Sequence, residues 1–556
     1  MKLAVVVLLA LALFIAPLSA VSPDLIVVIS IDQFPQRYLP RFQPWFSKGG
    51  FNRFLQNGAH YDNAFYPYAN TYTCPGHATI GTGRLPSETG IVSNNWYEPS
   101  RQDSMYCVGD DRVQVTAGTS DPVSPMNLQG DSLGDRLLEK YPRSKVIGIA
   151  IKDRAAILMA GRKATAAYWL DKDLPAFISS TWYAGRHDLG PFNRIIPAFV
   201  AAHPAWTQSD AISPADLDRV TYDPPALREH KTNHAGMGVA FPHPIKDTDA
   251  LTYTPYGNDL LLDLARYVID TEKLGTEDGS PDLLFVGLST QDYIGHAYGP
   301  DSLEVADAVV RLDGSLQSFF DQLSQRFGDR VTVALTSDHG VQSIPEVSEA
   351  MGKPGGRINF RNPGKSAKTI GELATERLAT ERRIATALNI ELHDDDPIGN
   401  AIMKTFFEPS IYLNWKRINE LELDRERVRN VVRDAVAQID GVSAVYTDSQ
   451  LLAPTAHPTE IERSVRNSFL VERSGDVIAE LKPGYMWSWG TTTGTTHGEP
   501  LEDDQHVPVL FFGNGIRAGA YDARVSPADI ATTLGSLVGV TAGEYGAKPL
   551  SAAEPE

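Results

Sequence analysis

Five runs of near-continuous apolar and β-branched residues constrain this chain more than any other feature. They are LIVVISI (Leu25–Ile31), KVIGIAI (Lys145–Ile151), DLLFVGL (Asp282–Leu288), RVTVALT (Arg330–Thr336) and VPVLFF (Val507–Phe512). Runs that do not alternate polar with apolar residues bury both faces, which is the pattern of strands inside a parallel sheet. Helical stretches such as Gly257–Thr271 and Leu303–Phe327 lie between them. The expected class is therefore α/β, with a central, mostly parallel sheet flanked by helices on both faces.

Each of the first four runs gives way to polar residues. Asp32 succeeds the first, Lys152-Asp153-Arg154 the second, Ser289-Thr290-Gln291-Asp292 the third and Ser337-Asp338-His339-Gly340 the fourth. In open α/β sheets the ligand site lies just beyond the carboxyl ends of the strands. Four polar clusters at four such ends are expected to converge. Longer irregular pieces at about 96–143, 160–255 and 341–484 read as insertions. The expected division is a signal peptide at 1–20, a catalytic domain at 21–340 and 485–556, and an inserted cap at 341–484.

The N-terminus, MKLAVVVLLALALFIAPLSAVSPD, has Lys2, an apolar core from Leu3 to Ala16, a break at Pro17 and a small-residue end at Leu18-Ser19-Ala20. That is the build of a secretory signal peptide cut after Ala20. The run is short for a membrane span. The mature chain is expected to have no transmembrane segment and to lie in the periplasm or outside the cell. A formal net charge of −19 argues against nucleic acid as a partner, since that needs a basic face. A monomer is expected. The two cysteines, Cys74 and Cys107, suggest one disulfide in an oxidising compartment. Its closed loop would add ~3–4 kcal/mol on a chain-entropy estimate.

Asp292 and His296 stand four apart, one helical turn. With Asp32, Asp338, His339 and His497 they make three Asp and three His, a donor set suited to zinc or a similar divalent ion. Six protein ligands exceed what one open catalytic zinc takes, and they suit two ions sharing an in-line displacement. His187, His203, His230, His234, His243, His393 and His457 fall in the insertions, His60 beside a turn and His506 just ahead of the last strand; these are read as structural or exposed. The acidic loop His393–Asp396 leaves room for an additional Ca²⁺, with nothing else pointing to one.

The stretch NTYTCPGHATIGTG (Asn70–Gly83) offers Thr73 and Cys74 as nucleophiles. Pro75 suits the first position of a helix, which sets Thr73 just before a helix N-terminus, where free N–H groups favour an anion. Thr73 also reads as a plain N-cap. A Thr hydroxyl attacks only when a metal or base activates it.

Taken in order, Asp32, Thr73-x-Pro75-x-His77, Asp292-x3-His296, Asp338-His339-Gly340 and His497 resemble the alkaline phosphatase superfamily, in its bacterial secreted branch with a Thr nucleophile. The resemblance runs from about Leu25 to about Phe512. It implies that Thr73 is the nucleophile, that Asp32, Asp338 and His339 with the Thr73 oxygen hold one zinc, and that Asp292, His296 and His497 hold the other. It further implies that Asn94, 21 residues beyond Thr73, binds a phosphoryl oxygen, with Asn95 as the adjacent alternative, and that His77 positions the loop. Sulfatases share the superfamily, but Pro75 follows Cys74 directly and Ala78 stands where they require Arg.

Lys152 and Arg154, two apart on an expected extended segment, point the same way. A compact ammonium and a forked guanidinium suit terminal phosphoryl oxygens. Two divalent ions against three aspartates and an alkoxide cancel, so this pair leaves +2 for a monoester dianion. In the branch that the chain resembles, the Lys-x-Arg pair marks phosphate monoesterases. The expected activity is alkaline phosphatase, through a phospho-Thr73 intermediate. The rivals are a phosphodiesterase or nucleotide pyrophosphatase, and a non-catalytic binding protein on the same fold.

Overall fold

The computed structural model describes residues 22–118, 120–488, 490–541 and 549–553; the expected signal peptide lies outside them. A nine-stranded sheet runs, from edge to edge, Gly519–Tyr521, Ala59–Tyr61, Val509–Gly513, Val331–Thr336, Leu25–Ile31, Asp282–Leu288, Val146–Ala150, Ala166–Asp171, Ala176–Ile178. Five central strands are parallel, with Leu25–Ile31 in register between Val331–Thr336 and Asp282–Leu288. All five therefore end on one edge.

The fifth apolar run departs from expectation. Val509–Gly513 pairs antiparallel with Val331–Thr336. Burial on both faces imposes the same unbroken apolar pattern whichever way a strand runs, so composition carried no direction.

Alternate residues of each strand feed opposite layers. Val27, Ile29, Leu284 and Val286 pack under the helices Pro255–Thr271 and Leu303–Phe327. Ile26, Val28, Leu283 and Phe285 pack under Thr73–Thr82 and Asp153–Ala160. Both faces are covered, as a buried parallel sheet requires.

Within 341–484 a separate antiparallel sheet, ordered Met403–Phe407, Ser410–Leu413, Val477–Leu481, Val442–Thr447, carries its own core with Ile384, Val428 and Val432. Its chain leaves and returns beside itself, because Gly356–Asn359 pairs with Tyr485–Ser488. Among the described residues no helix is long and apolar enough to cross a membrane.

Candidate active site

The shared strand edge brings the carboxylates together. Lys152 Nζ lies 3.1 Å from Asp32 Oδ2 and 2.5 Å from Asp292 Oδ2, all three side chains being almost fully buried. Gln33, in the left-handed region at φ 61°, donates its backbone N–H to Asp338 Oδ1 and its amide to Asp292 Oδ1, both at 3.1 Å. Burial alone would raise the Asp32 pKa, but the Lys152 and His77 charges hold it below the ordinary range. Asp292 is held well below as well, against burial, by His296 and Lys152.

The histidines are oriented by backbone carbonyls. Nδ1 of His296 meets Thr495 O at 2.7 Å, Nδ1 of His497 meets Thr71 O at 2.7 Å, and Nδ1 of His339 meets Gly340 O at 2.9 Å. A carbonyl accepts only from N–H, so each ring keeps its Nε2 lone pair for a ligand. Ligand atoms of Asp292, His296 and His497 lie within 4.8 Å of one another, and so do those of Asp32, His77 and Asp338. His339 sits at the seam, its Nε2 3.2 Å from Asp338 Oδ2 and 3.9 Å from Asp292 Oδ1.

This donor set fits divalent metal ions. Asp32 Oδ1, Asp338 Oδ2 and His339 Nε2 are buried and make no hydrogen bond, which a protein rarely tolerates without another partner. Burial and the neighbouring His339 and His296 push the His497 pKa well down, which keeps it a neutral donor. The acidic loop His393–Asp396 is not so arranged: Asp394 pairs with Arg382, and Asp396 accepts the His393 N–H.

Thr73 opens the helix Thr73–Thr82, with Tyr72 as N-cap and no side-chain cap. The helix thus begins two residues earlier than Pro75 alone indicated. Proline at the third position costs nothing, because first-turn N–H groups have no partner within the helix. Gly76 makes this start fit, since a Cβ there would come 2.4 Å from the Asp338 carbonyl oxygen. Asn94 Oδ1 accepts the Cys74 N–H at 2.9 Å, which leaves the Asn94 amide hydrogens for a ligand. Cys74 and Cys107 form a disulfide, so Cys74 is not a free thiol.

Lys152 and Arg154 lie together, but not on an extended segment. The strand stops at Ala150, Lys152 is N-cap of the helix Asp153–Ala160, and Arg154 lies in its first turn. The acidic Asp153 favours that early helix start. Arg154, Thr73, Asn94, Asn95, Asp292, His296 and His497 line one cavity of about 190 Å³. Lys152 lies on the carboxylates beside it.

Tyr72, Phe407 and Glu408 also line the cavity, with Ser93 and Thr496, and sequence reasoning does not single them out. Phe407 and Glu408 come from the hairpin of the separate sheet, so no local pattern ties them to the strand ends. Glu408 Oε2 lies 3.5 Å from the Tyr72 hydroxyl, and burial pushes its carboxyl up to about 8.

Residues 26–500 match the family described as type I phosphodiesterase / nucleotide pyrophosphatase. Alkaline phosphatase PhoV of Synechococcus elongatus is 31% identical over 94% of this chain and 91% of its own. Alkaline phosphatase PafA of Elizabethkingia meningoseptica is 32% identical over 93% and 91%. A crystal structure of wild-type alkaline phosphatase PafA matches with a TM-score of 0.83 and 29% identity, covering 96% of this chain and 99% of that one. A PafA variant substituted at one threonine, one asparagine, one lysine and one arginine also matches with a TM-score of 0.83, at 28% identity over 95% and 98% of the two chains.

Proposed function

The chain belongs to the type I phosphodiesterase / nucleotide pyrophosphatase family, within the alkaline phosphatase superfamily, and from that premise we propose that it is an alkaline phosphatase hydrolysing phosphate monoesters through a phospho-Thr73 intermediate at two zinc ions. The observation that carries the reading is Arg154 and Asn94 facing one cavity with Thr73, with Lys152 beside it. The four residue types substituted in the PafA variant are those of Thr73, Asn94, Lys152 and Arg154, which supports the assignment.

Asp292, His296 and His497 would hold one ion, and Asp32, Asp338 and His339 with the Thr73 oxygen the other. When bound, such ions stabilise charge on the attacking and leaving oxygens of an in-line displacement. Thr73 Oγ attacks phosphorus and the alcohol departs from the opposite side. Water then cleaves phospho-Thr73 and releases phosphate. The Asn94 amide donates to a nonbridging oxygen from a position fixed by the Cys74 N–H. Arg154 supplies a planar fork and Lys152 a point charge, aimed at charge that a monoester carries and a diester lacks. His77 bridges the backbone of the nucleophile to the carboxylates: its Nδ1 meets Thr73 O at 2.8 Å and its Nε2 lies 3.2 Å from Asp32 Oδ1.

The insertion 341–484 acts as a cap that contributes Phe407 and Glu408 to the leaving-group side. The signal-like N-terminus and the disulfide support a periplasmic or secreted enzyme. The second reading is a phosphodiesterase, which the family description favours and the cationic pair opposes.

The test compares kcat/KM for p-nitrophenyl phosphate and bis-p-nitrophenyl phosphate with zinc at alkaline pH. Wild type is expected to prefer the monoester, and Lys152→Ala/Arg154→Ala to lose about 10²- to 10³-fold on it, the scale of one lost charge-stabilising donor or more, with a much smaller loss on the diester. Preference of the wild type for the diester would move the reading to its rival.

A further inference from the structure

Arg154 does not reach the cavity unaided. Its Nη1 donates to the Tyr106 hydroxyl at 3.3 Å, and that hydroxyl donates to Asp153 Oδ1 at 2.7 Å. Asp153 Oδ1 also accepts the Arg154 backbone N–H at 2.7 Å. Asp153 and Arg154 are consecutive in the first helical turn, and side chains of adjacent helical residues diverge. A carboxylate at Asp153 therefore does not by itself set the direction of the Arg154 fork. Tyr106 spans the two, and its hydroxyl is used both as donor and as acceptor.

Tyr106 is held where this requires. It ends the strand Asp103–Tyr106, paired with Asn95–Glu98, and the next residue is Cys107 of the disulfide to Cys74. The Cys107 N–H also donates to Asn94 O at 3.0 Å. One covalent link and one hairpin thus fix Tyr106 against the residues beside Thr73. Burial and the Asp153 charge push the Tyr106 pKa far up, so the hydroxyl keeps its proton at alkaline pH.

We propose that Tyr106 is a positioning residue for Arg154, holding the guanidinium in the orientation that recognises the terminal oxygens of a phosphate monoester. The proposal rests on the phosphatase reading of Arg154. An aromatic ring without the hydroxyl would fill the same space and leave the fork free to rotate.

The test is Tyr106→Phe in the full chain with zinc, alone and with Arg154→Ala. Expected is a loss of about 10-fold in monoester kcat/KM, the low end for a hydrogen bond to a charged group. Diester kcat/KM should stay within about 2-fold, inorganic phosphate should bind more weakly by calorimetry, and no further loss should appear once Arg154 is already Ala. Equal losses on monoester and diester, or an undiminished loss in the Arg154→Ala background, would overturn the Tyr106 assignment alone. An Arg154→Ala variant that keeps the full monoester preference would instead overturn the reading on which it rests.

Discussion

Glu408 is an acid buried in the wall of the cavity. Its carboxyl is pushed up from 4.5 to about 8 by burial, and Tyr72 and, behind it, Glu499 are the titratable groups that face it. The folded chain therefore holds a proton that the unfolded chain releases at ordinary carboxylate pH. Stability linked to this group is fully present below about 4.5 and is lost as the pH rises through about 8, at a cost of up to about 5 kcal/mol. Glutamine keeps the shape without the proton. The Tm of Glu408→Gln should match wild type near pH 5 and exceed it by a few degrees near pH 9; an offset that stays constant with pH would contradict this. No sequence pattern marked Glu408, because its neighbourhood exists only once a hairpin more than three hundred residues from Thr73 folds against it.

At the scale of elements, the helix Thr73–Thr82 is fixed by a close approach. A Cβ at Gly76 would meet Asp338 at its carbonyl oxygen, Cβ and Cα, all within 2.8 Å, and backbone cannot yield as a side-chain tip can. Gly76→Ala should cost about 1–3 kcal/mol and displace Asp338 from Asp32 and His77. A lowered Tm and loss of bound metal by elemental analysis are expected. Gly314→Ala, in the helix Leu303–Phe327 with open space around it, should lose neither. The strand ends were legible because burial on both faces leaves a composition signature, and polar residues directly after it mark the sheet edge. Local geometry at those ends was less legible. The helix at Thr73 starts before its proline, and Lys152 and Arg154 occupy a helix start, because the strand ends at Ala150 and the chain enters a helix at Asp153, which converts the expected extended pair into a cap and a first turn. Tyr106 carries no local signal, because its importance depends on the Cys74–Cys107 link, which closes in space.

At the scale of the whole molecule, a net charge of −19 opposes an anionic substrate, yet the screening length of about 8 Å at physiological salt confines that repulsion. On the proposed reading, Lys152, Arg154 and the divalent ions that the site would hold set the local sign. The two-layer core builds one rigid strand edge for these groups, and the separate sheet of 341–484 supplies one wall of the cavity, so that on the proposed reading the phosphoryl side is scaffold and the leaving-group side is insertion. The most direct measurement is acid quench of the zinc-loaded enzyme during turnover of a phosphate monoester, followed by mass spectrometry of its peptides. One phosphoryl group on Thr73, absent from Thr73→Ala together with turnover, is the predicted result. A Thr73→Ala enzyme that still turns over at the wild-type rate, or a phosphoryl group on another residue, would contradict the account.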